Sequence, residues 1–191
     1  IYATNNTIQI TSELLLDSAK LQEQAYQRGE FYGKYTNIKA LVYNTEDAMN
    51  TFGLFKTVAF DEEFEPVEGI KVKYIRAGHI LGAASIEVEI LEENASKKVI
   101  FSGDIGRVKT HIDDPFDANY KAEPDYVIME SLYGGQIHPD RDESANKLIQ
   151  IINETLERRG NVYIPCFAVQ RTQEVLNDLK NAKTNKTLAS D

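Results

Sequence analysis

Three residues of metal-ligand type stand in the same local setting. His79 lies in Tyr74-Ile75-Arg76-Ala77-Gly78-His79-Ile80-Leu81-Gly82-Ala83-Ala84. Asp104 lies in Val99-Ile100-Phe101-Ser102-Gly103-Asp104-Ile105-Gly106-Arg107, and Glu130 in Val127-Ile128-Met129-Glu130-Ser131-Leu132-Tyr133-Gly134. In each, a stretch of strand character runs into a tight turn of small residues that carries the ligand-type side chain. Glycine beside it lets the backbone turn sharply and approach a ligand closely. If the three strands are neighbours, one imidazole and two carboxylates converge at one edge of a sheet, a donor set suited to zinc or manganese. Each residue also has a plainer reading. A lone histidine in a turn is commonly structural. An aspartate after glycine commonly shapes its own turn through side-chain hydrogen bonds. Glu130 reads equally as a surface carboxylate. Their common placement at strand ends lifts them above those readings.

The surrounding pattern supplies elements to hold these turns. Residues 56–60 read as a strand. Ile70, Val72 and Tyr74 alternate with Lys71 and Lys73, and Ile86, Val88 and Ile90 with Glu87 and Glu89, which predicts two half-buried strands with their charges outward. The acidic turn at 92–96 joins the second of these to Lys98-Val99-Ile100-Phe101 as a hairpin. Tyr126-Val127-Ile128-Met129 is a continuous apolar strand. Residues 105–124 form a loop long enough to suggest a functional one.

Helices flank this strand-rich middle. Ile10, Leu14, Leu21 and Ala25 fall on one helical face, ended by Gly29. Tyr26, Phe31, Tyr32 and Tyr35 then crowd a turn, where packing explains them better than ligand stacking. A second helix starts at Asn44 or Thr45, with Glu46 and Asp47 suited to its positive end and Ala48, Phe52 and Phe55 as its buried stripe. Past Gly134-Gly135, where a domain junction is expected, the character changes. Asp140 caps a helix, helped by Glu143, whose core face is Leu148, Ile149, Ile152 and Leu156 and whose end is Gly160. Residues 162–166 read as a buried strand. A helix from about Ala168 follows, with Thr172, Val175, Leu176 and Leu179 inward, giving a helix-strand-helix unit of parallel α/β type.

Composition bounds the rest. The 191 residues are 42% hydrophobic and 27% charged, ordinary for a globular protein. The apolar runs are too short for a membrane helix, and no signal peptide is visible. Cys166 is the only cysteine; a lone buried thiol fits a reducing cytoplasm and forms no internal disulfide. A formal net charge of −9 argues against a general nucleic-acid binder, although a metal site carries its own positive charge and attracts phosphate within an acidic protein. Local cations could do the same. Arg171 opens a helix, where the N-terminus already favours anions, and a guanidinium grips phosphate through two nitrogens; an interdomain salt bridge is its alternative. Arg107 and Lys109 follow Asp104 closely and are further candidates for phosphate contact.

Four segments in fixed order carry a family resemblance: Gly78-His79-Ile80-Leu81-Gly82-Ala83, Ser102-Gly103-Asp104-Ile105-Gly106-Arg107, Glu130-Ser131-Leu132-Tyr133-Gly134, and Ile164-Pro165-Cys166-Phe167-Ala168-Val169-Gln170-Arg171-Thr172-Gln173-Glu174. The chain resembles the β-CASP RNA nucleases of the metallo-β-lactamase fold over roughly residues 72–179. The resemblance implies an α/β chain. Residues 1–134 would be part of a four-layer αββα sandwich, and residues 135–191 the start of an inserted β-CASP α/β domain. It makes His79 a ligand of one metal and Asp104 a carboxylate bridging two. Glu130 becomes an acidic residue that orients a histidine from later in the chain. The implied cofactors are two divalent metal ions, zinc or alternatively manganese; the implied partner is RNA, with homodimer formation also allowed and no membrane.

The departures are as informative. The family's His-x-His-x-Asp-His signature, which supplies most of the metal ligands, is absent, and so are its two later histidine motifs. The chain is therefore expected to be an internal piece of an RNA-hydrolysing enzyme, inactive alone. His111 and His138 read as structural or substrate-adjacent. Two rivals remain: a metallo-β-lactamase-fold hydrolase of small thioesters or lactams, and a metal-free scaffold that binds RNA or a nuclease partner. The Glu130 and Arg171 segments oppose the first, and retention of His79, Asp104 and Glu130 opposes the second.

Overall fold

The computed structural model of the chain describes residues 1–29, 41–93, 95–107, 116 and 123–189. It is a mixed α/β structure. Strand β1 (Tyr2–Thr4) leads directly into helix α1 (Asn5–Gln27). Thr4 is the extended residue at the boundary, and its hydroxyl accepts the Thr7 amide at 3.3 Å, so the first turn of α1 is capped. Helix α2 (Thr45–Phe52) opens on Asn44 with a reciprocal capping box to Asp47. The predicted stripe on α1 is only half right. Ala19 and Ala25 are buried, but Leu14 and Leu21 are 47% and 45% exposed. Helix α1 packs against α2, whose Ala48 is also buried. Of the expected aromatic cluster, Tyr26 is exposed, and the other three residues lie outside the described ones.

Strand β2 (Lys56–Val58) pairs in parallel with β1 as a separate two-stranded sheet. The main sheet holds β3 (Glu63–Val67), β4 (Ile70–Arg76), β5 (Ala84–Leu91), β6 (Ser96–Phe101) and β7 (Tyr126–Ile128) in sequence order. All neighbours are antiparallel except β6 and β7, which run in parallel. The predicted alternation and hairpin are present, and the register explains them. Val72 faces Val88, which faces Val99 in turn, and Tyr74 faces Ile86, which faces Phe101. On the opposite face Lys73 pairs with Glu87 at 3.2 Å and Glu89 with Lys98 at 3.8 Å.

Which face is covered reverses the expectation. Ile75, Ser85, Glu87 and Ile100 are buried on the side that carries the charges, whereas Phe101, Tyr126 and Ile128 are 41%, 60% and 57% exposed on the apolar side. Tyr2 and Phe64 cover only the Tyr74 end of the apolar side, with ring centroids 5.0 Å and 5.9 Å apart along the Tyr2–Phe64–Tyr74 stack. This burial raises the Tyr74 pKa, and its hydroxyl donates to the Tyr2 carbonyl at 3.0 Å. Glu87, expected outward, is held inside by the Lys73 ammonium; one of its oxygens is buried with that ion pair but no directed hydrogen bond.

Helices α3 (Arg141–Glu157) and α4 (Arg171–Thr184) form their own cluster. Asp140 caps α3 as expected, accepting the Asp142 and Glu143 amides. Ile149, Ile152 and Ala182 are the core, with Leu148, Val162, Leu179 and Leu188 against it. A short, largely buried ion pair between Arg141 and Asp178 (2.6 Å) ties the two helices. Several expectations fail here. Leu156 and Leu176 are 41% and 58% exposed. Residues 161–167 are not a strand, Tyr163 and Phe167 are mostly exposed, and Cys166 is an exposed thiol rather than a buried one. A strand needs the amides and carbonyls of a neighbour, and among the described residues none runs alongside this segment. Among the described residues, no helix is long and apolar enough to cross a membrane.

Candidate functional site

The three turns do converge. The turn after β4 carries His79, the turn after β6 carries Asp104, and Glu130 lies two residues past β7. His79 Nε2 and Asp104 Oδ2 stand 3.7 Å apart. Glu130 Oε1 accepts the amide of Ile105, the residue after Asp104, at 2.6 Å. The strands are not mutual neighbours, because β5 lies between β4 and β6. The turns nevertheless meet, because β4 and β6 both run antiparallel to β5 and so reach the same edge of the sheet.

Glycine makes the approach possible at two positions. The Gly106 amide donates to the Ala77 carbonyl at 2.8 Å, and a Cβ on Gly106 would collide with the Gly78 carbonyl. Gly78 has φ +62°, a left-handed conformation that a side chain rarely adopts. The His79 and Asp104 turns are therefore packed backbone against backbone.

Each turn is also fixed from outside. Buried Ser102 links the second and third: its amide donates to the Ile128 carbonyl at 2.9 Å, and its hydroxyl accepts the Glu130 amide at 3.0 Å. Asp125 holds the start of β7 against β6, accepting the Lys98 amide at 2.9 Å and the Lys97 ammonium at 3.0 Å. These two bonds hold the Asp125 carboxyl below its usual value, the Lys98 amide more than the Lys97 ammonium. The His79 turn is gripped on one side by Thr4 and Thr7, whose hydroxyls donate to the Gly82 carbonyl at 2.9 Å and 3.0 Å. On the other side stands the start of α4. Sequence reading missed Thr4, Thr7, Ser102 and Gln170. Only Thr4 left a signal, as a capping type just before a helical stripe.

Arg171 sits at the first position of α4. Its Nη1 donates to Glu174 Oε1 and Oε2 at 3.0 Å and 2.9 Å, and its Nη2 reaches the His79 carbonyl at 3.4 Å. The ion pair thus lies within α4, which corrects the expected alternative of an interdomain salt bridge. Arg107 is half-buried three residues past Asp104. Lys109 and His111 lie outside the described residues. His138 is exposed and its ring lies 4.6 Å from that of Tyr133.

The chemistry of the pair is suited to a cation. Two donors on one divalent ion each lie about 2.0–2.2 Å from it and so stand about 3–4 Å from one another. His79 and Asp104 meet that spacing, and both side chains are accessible. They make two candidate donors. Among the described residues no group of three or more His, Cys, Asp or Glu could hold a metal, and one Glu130 oxygen accepts a backbone amide.

No protein-family profile matches the chain. Curated proteins do. An RNase J-like protein of Methanocaldococcus jannaschii is 38% identical over 141 residues, 73% of this chain and 32% of its own length. The endoribonuclease YSH1 of Saccharomyces cerevisiae is 34% identical over 140 residues, 71% of this chain and 17% of its own length. The RNase aCSPSF2 of Saccharolobus solfataricus is 30% identical over 180 residues, 94% of this chain and 32% of its own length. The chain spans a third or less of the length of these relatives.

Proposed function

We propose, for a chain that is a relative of the β-CASP RNA nucleases, that the whole protein hydrolyses RNA phosphodiester bonds with two divalent cations held in part by His79 and Asp104. The observation that carries this reading is the 3.7 Å approach of His79 Nε2 to Asp104 Oδ2 at the meeting of three separate turns. The names of the relatives, all RNA nucleases, supply the substrate class.

In this reading, His79 would hold one cation and Asp104 would be shared between two, its negative charge offsetting their repulsion. Zinc suits the imidazole and carboxylate donors, with manganese the alternative. Bound there, the cations supply Lewis-acid neutralisation at phosphate and lower the pKa of water. This chain's own residues do the positioning. Glu130 fixes the Asp104 turn through Ile105 and, with its other oxygen, would orient a histidine brought from elsewhere in the protein. Arg171, Arg107 and Lys109 are the proposed phosphate contacts; the charge of Arg171 is shared with Glu174.

The finer fold belongs to the same proposal. Residues 1–134 would form part of a metallo-β-lactamase sandwich, with the open apolar side of β5, β6 and β7 facing a second sheet, and residues 135–191 would begin a β-CASP domain. The whole protein would act in the cytoplasm, with homodimer formation allowed, and these residues alone would be inactive.

Chelation tests it. The whole protein should cleave single-stranded RNA, lose that activity in excess chelator and regain it with added zinc or manganese. Undiminished cleavage after exhaustive chelation would overturn the metal-dependent reading.

A further inference from the structure

The turn that carries His79 is held by a residue whose own backbone is strained. Gln170 has φ +62° and ψ −49°, and the Arg171 amide donates across it to the Val169 carbonyl at 2.8 Å. This is a three-residue turn with a positive-φ centre, a rare and strained arrangement that persists only where the surroundings over-determine it. The surroundings here are the His79 turn. The Gln170 side chain is buried (6% exposed) although polar. Its Oε1 accepts the Leu81 amide in a short hydrogen bond, and its Nε2 donates to Glu174 Oε1 at 3.3 Å. The next residue, Arg171, donates to the His79 carbonyl and is itself oriented by Glu174. Two successive residues of the helical cluster thus take up the carbonyl of residue 79 and the amide of residue 81. No other described element bonds those two groups. Thr4 and Thr7 take the carbonyl of residue 82 from the opposite side.

We infer that Gln170 is a positioning residue for His79: its buried amide, aimed by a strained turn, sets the pitch of the 79–82 turn and so the direction of the imidazole towards Asp104. The inference rests on the reading of His79 as a metal ligand. The backbone strain at Gln170 indicates what the side chain is for. Glycine would adopt φ +62° without strain, so a bulky residue there is explained by what its side chain holds. A helix start alone needs no such residue, and Gln170 gives α4 no side-chain cap.

The test uses the whole protein, loaded with cobalt(II) as a spectroscopic probe and titrated against a competing chelator. Gln170→Gly relieves the backbone strain and removes the hydrogen bond; Gln170→Met keeps the bulk and removes the acceptor. The Gly variant should unfold at nearly the wild-type temperature and the Met variant, which keeps the strain, somewhat lower; both should bind the probe about tenfold more weakly and show an altered cobalt absorption band, as loss of a residue supporting a ligand does. Gln170→Glu keeps an acceptor for the Leu81 amide but sets a carboxylate against Glu174 Oε1, so it should recover only part of the affinity lost in the Met variant. Wild-type affinity and band shape in both Gly and Met variants would overturn the inference. His79→Ala separates the two ways of failing. If it also leaves cobalt affinity unchanged, the ligand reading itself is wrong and the inference falls with it. If it weakens binding while the Gln170 variants do not, only the positioning role is lost.

Discussion

Residues 126–129 and 162–166 look alike as sequence and differ as structure. Both are short continuous apolar runs ahead of a turn or helix. Tyr126–Ile128 becomes β7, bonded in parallel to β6 from Val99 to Phe101. The second run stays irregular and open, with Tyr163 88% exposed. The difference is one of neighbours. Asp125 fastens the start of β7 to Lys97 and Lys98, and the Ser102 amide donates to the Ile128 carbonyl at its end. The 162–166 run has no strand beside it among the described residues, and only Val162 reaches the helical cluster. An apolar run announces a demand for burial; whether it becomes a strand depends on a partner elsewhere in the chain.

Substitution next to each run should sharpen the contrast. Ile100, opposite Val127 in β6, is 5% exposed. Ile100→Ala should lower stability by about 2–5 kcal/mol in urea unfolding, the range for emptying a packed site. Tyr163→Ala should change it by less than about 0.5 kcal/mol. Comparable losses at the two sites would mean that the second run is packed after all.

A smaller effect is expected from pH. The Asp125 carboxyl is held below the usual 3.8 by the Lys98 amide and then the Lys97 ammonium. A depressed carboxyl contributes stability above its unfolded value, and loses it as pH falls through the folded one. Below about pH 3.8 the β6–β7 join should therefore loosen, read as faster exchange of the Lys98 amide. Asp125→Asn should already exchange faster at neutral pH and lack the acid step. An acid step that persists in the variant would assign it to another group.

Much of the strand core was legible because its cause is local. Alternation at 70–74 and 86–90, the Asn44 and Asp140 caps and the glycine-flanked turns each follow from neighbouring residues alone. What escaped depends on remote partners. Glu87 alternates as a surface residue and is buried by Lys73 across the sheet. Leu14 and Leu21 fit a core stripe but lie exposed, and the buried positions of α1 are Ala19 and Ala25. Gln170 gives no sequence signal, since its role comes from Leu81, far away in the chain. At the site, His79, Asp104 and Glu130 were recognisable by their shared turn design. Their holders, Thr4, Thr7, Ser102 and Gln170, were not.

The approach of His79 to Asp104 is proposed as half of a metal site in place of an ordinary ion pair. The most direct measurement is RNA cleavage by the whole protein carrying Asp104→Ala, at saturating zinc or manganese and with its fold verified by circular dichroism. Loss of turnover by at least about a thousandfold is predicted, because a carboxylate shared by two cations has no substitute among neighbouring side chains. A folded variant that cleaves RNA at a near-wild-type rate would contradict the claim.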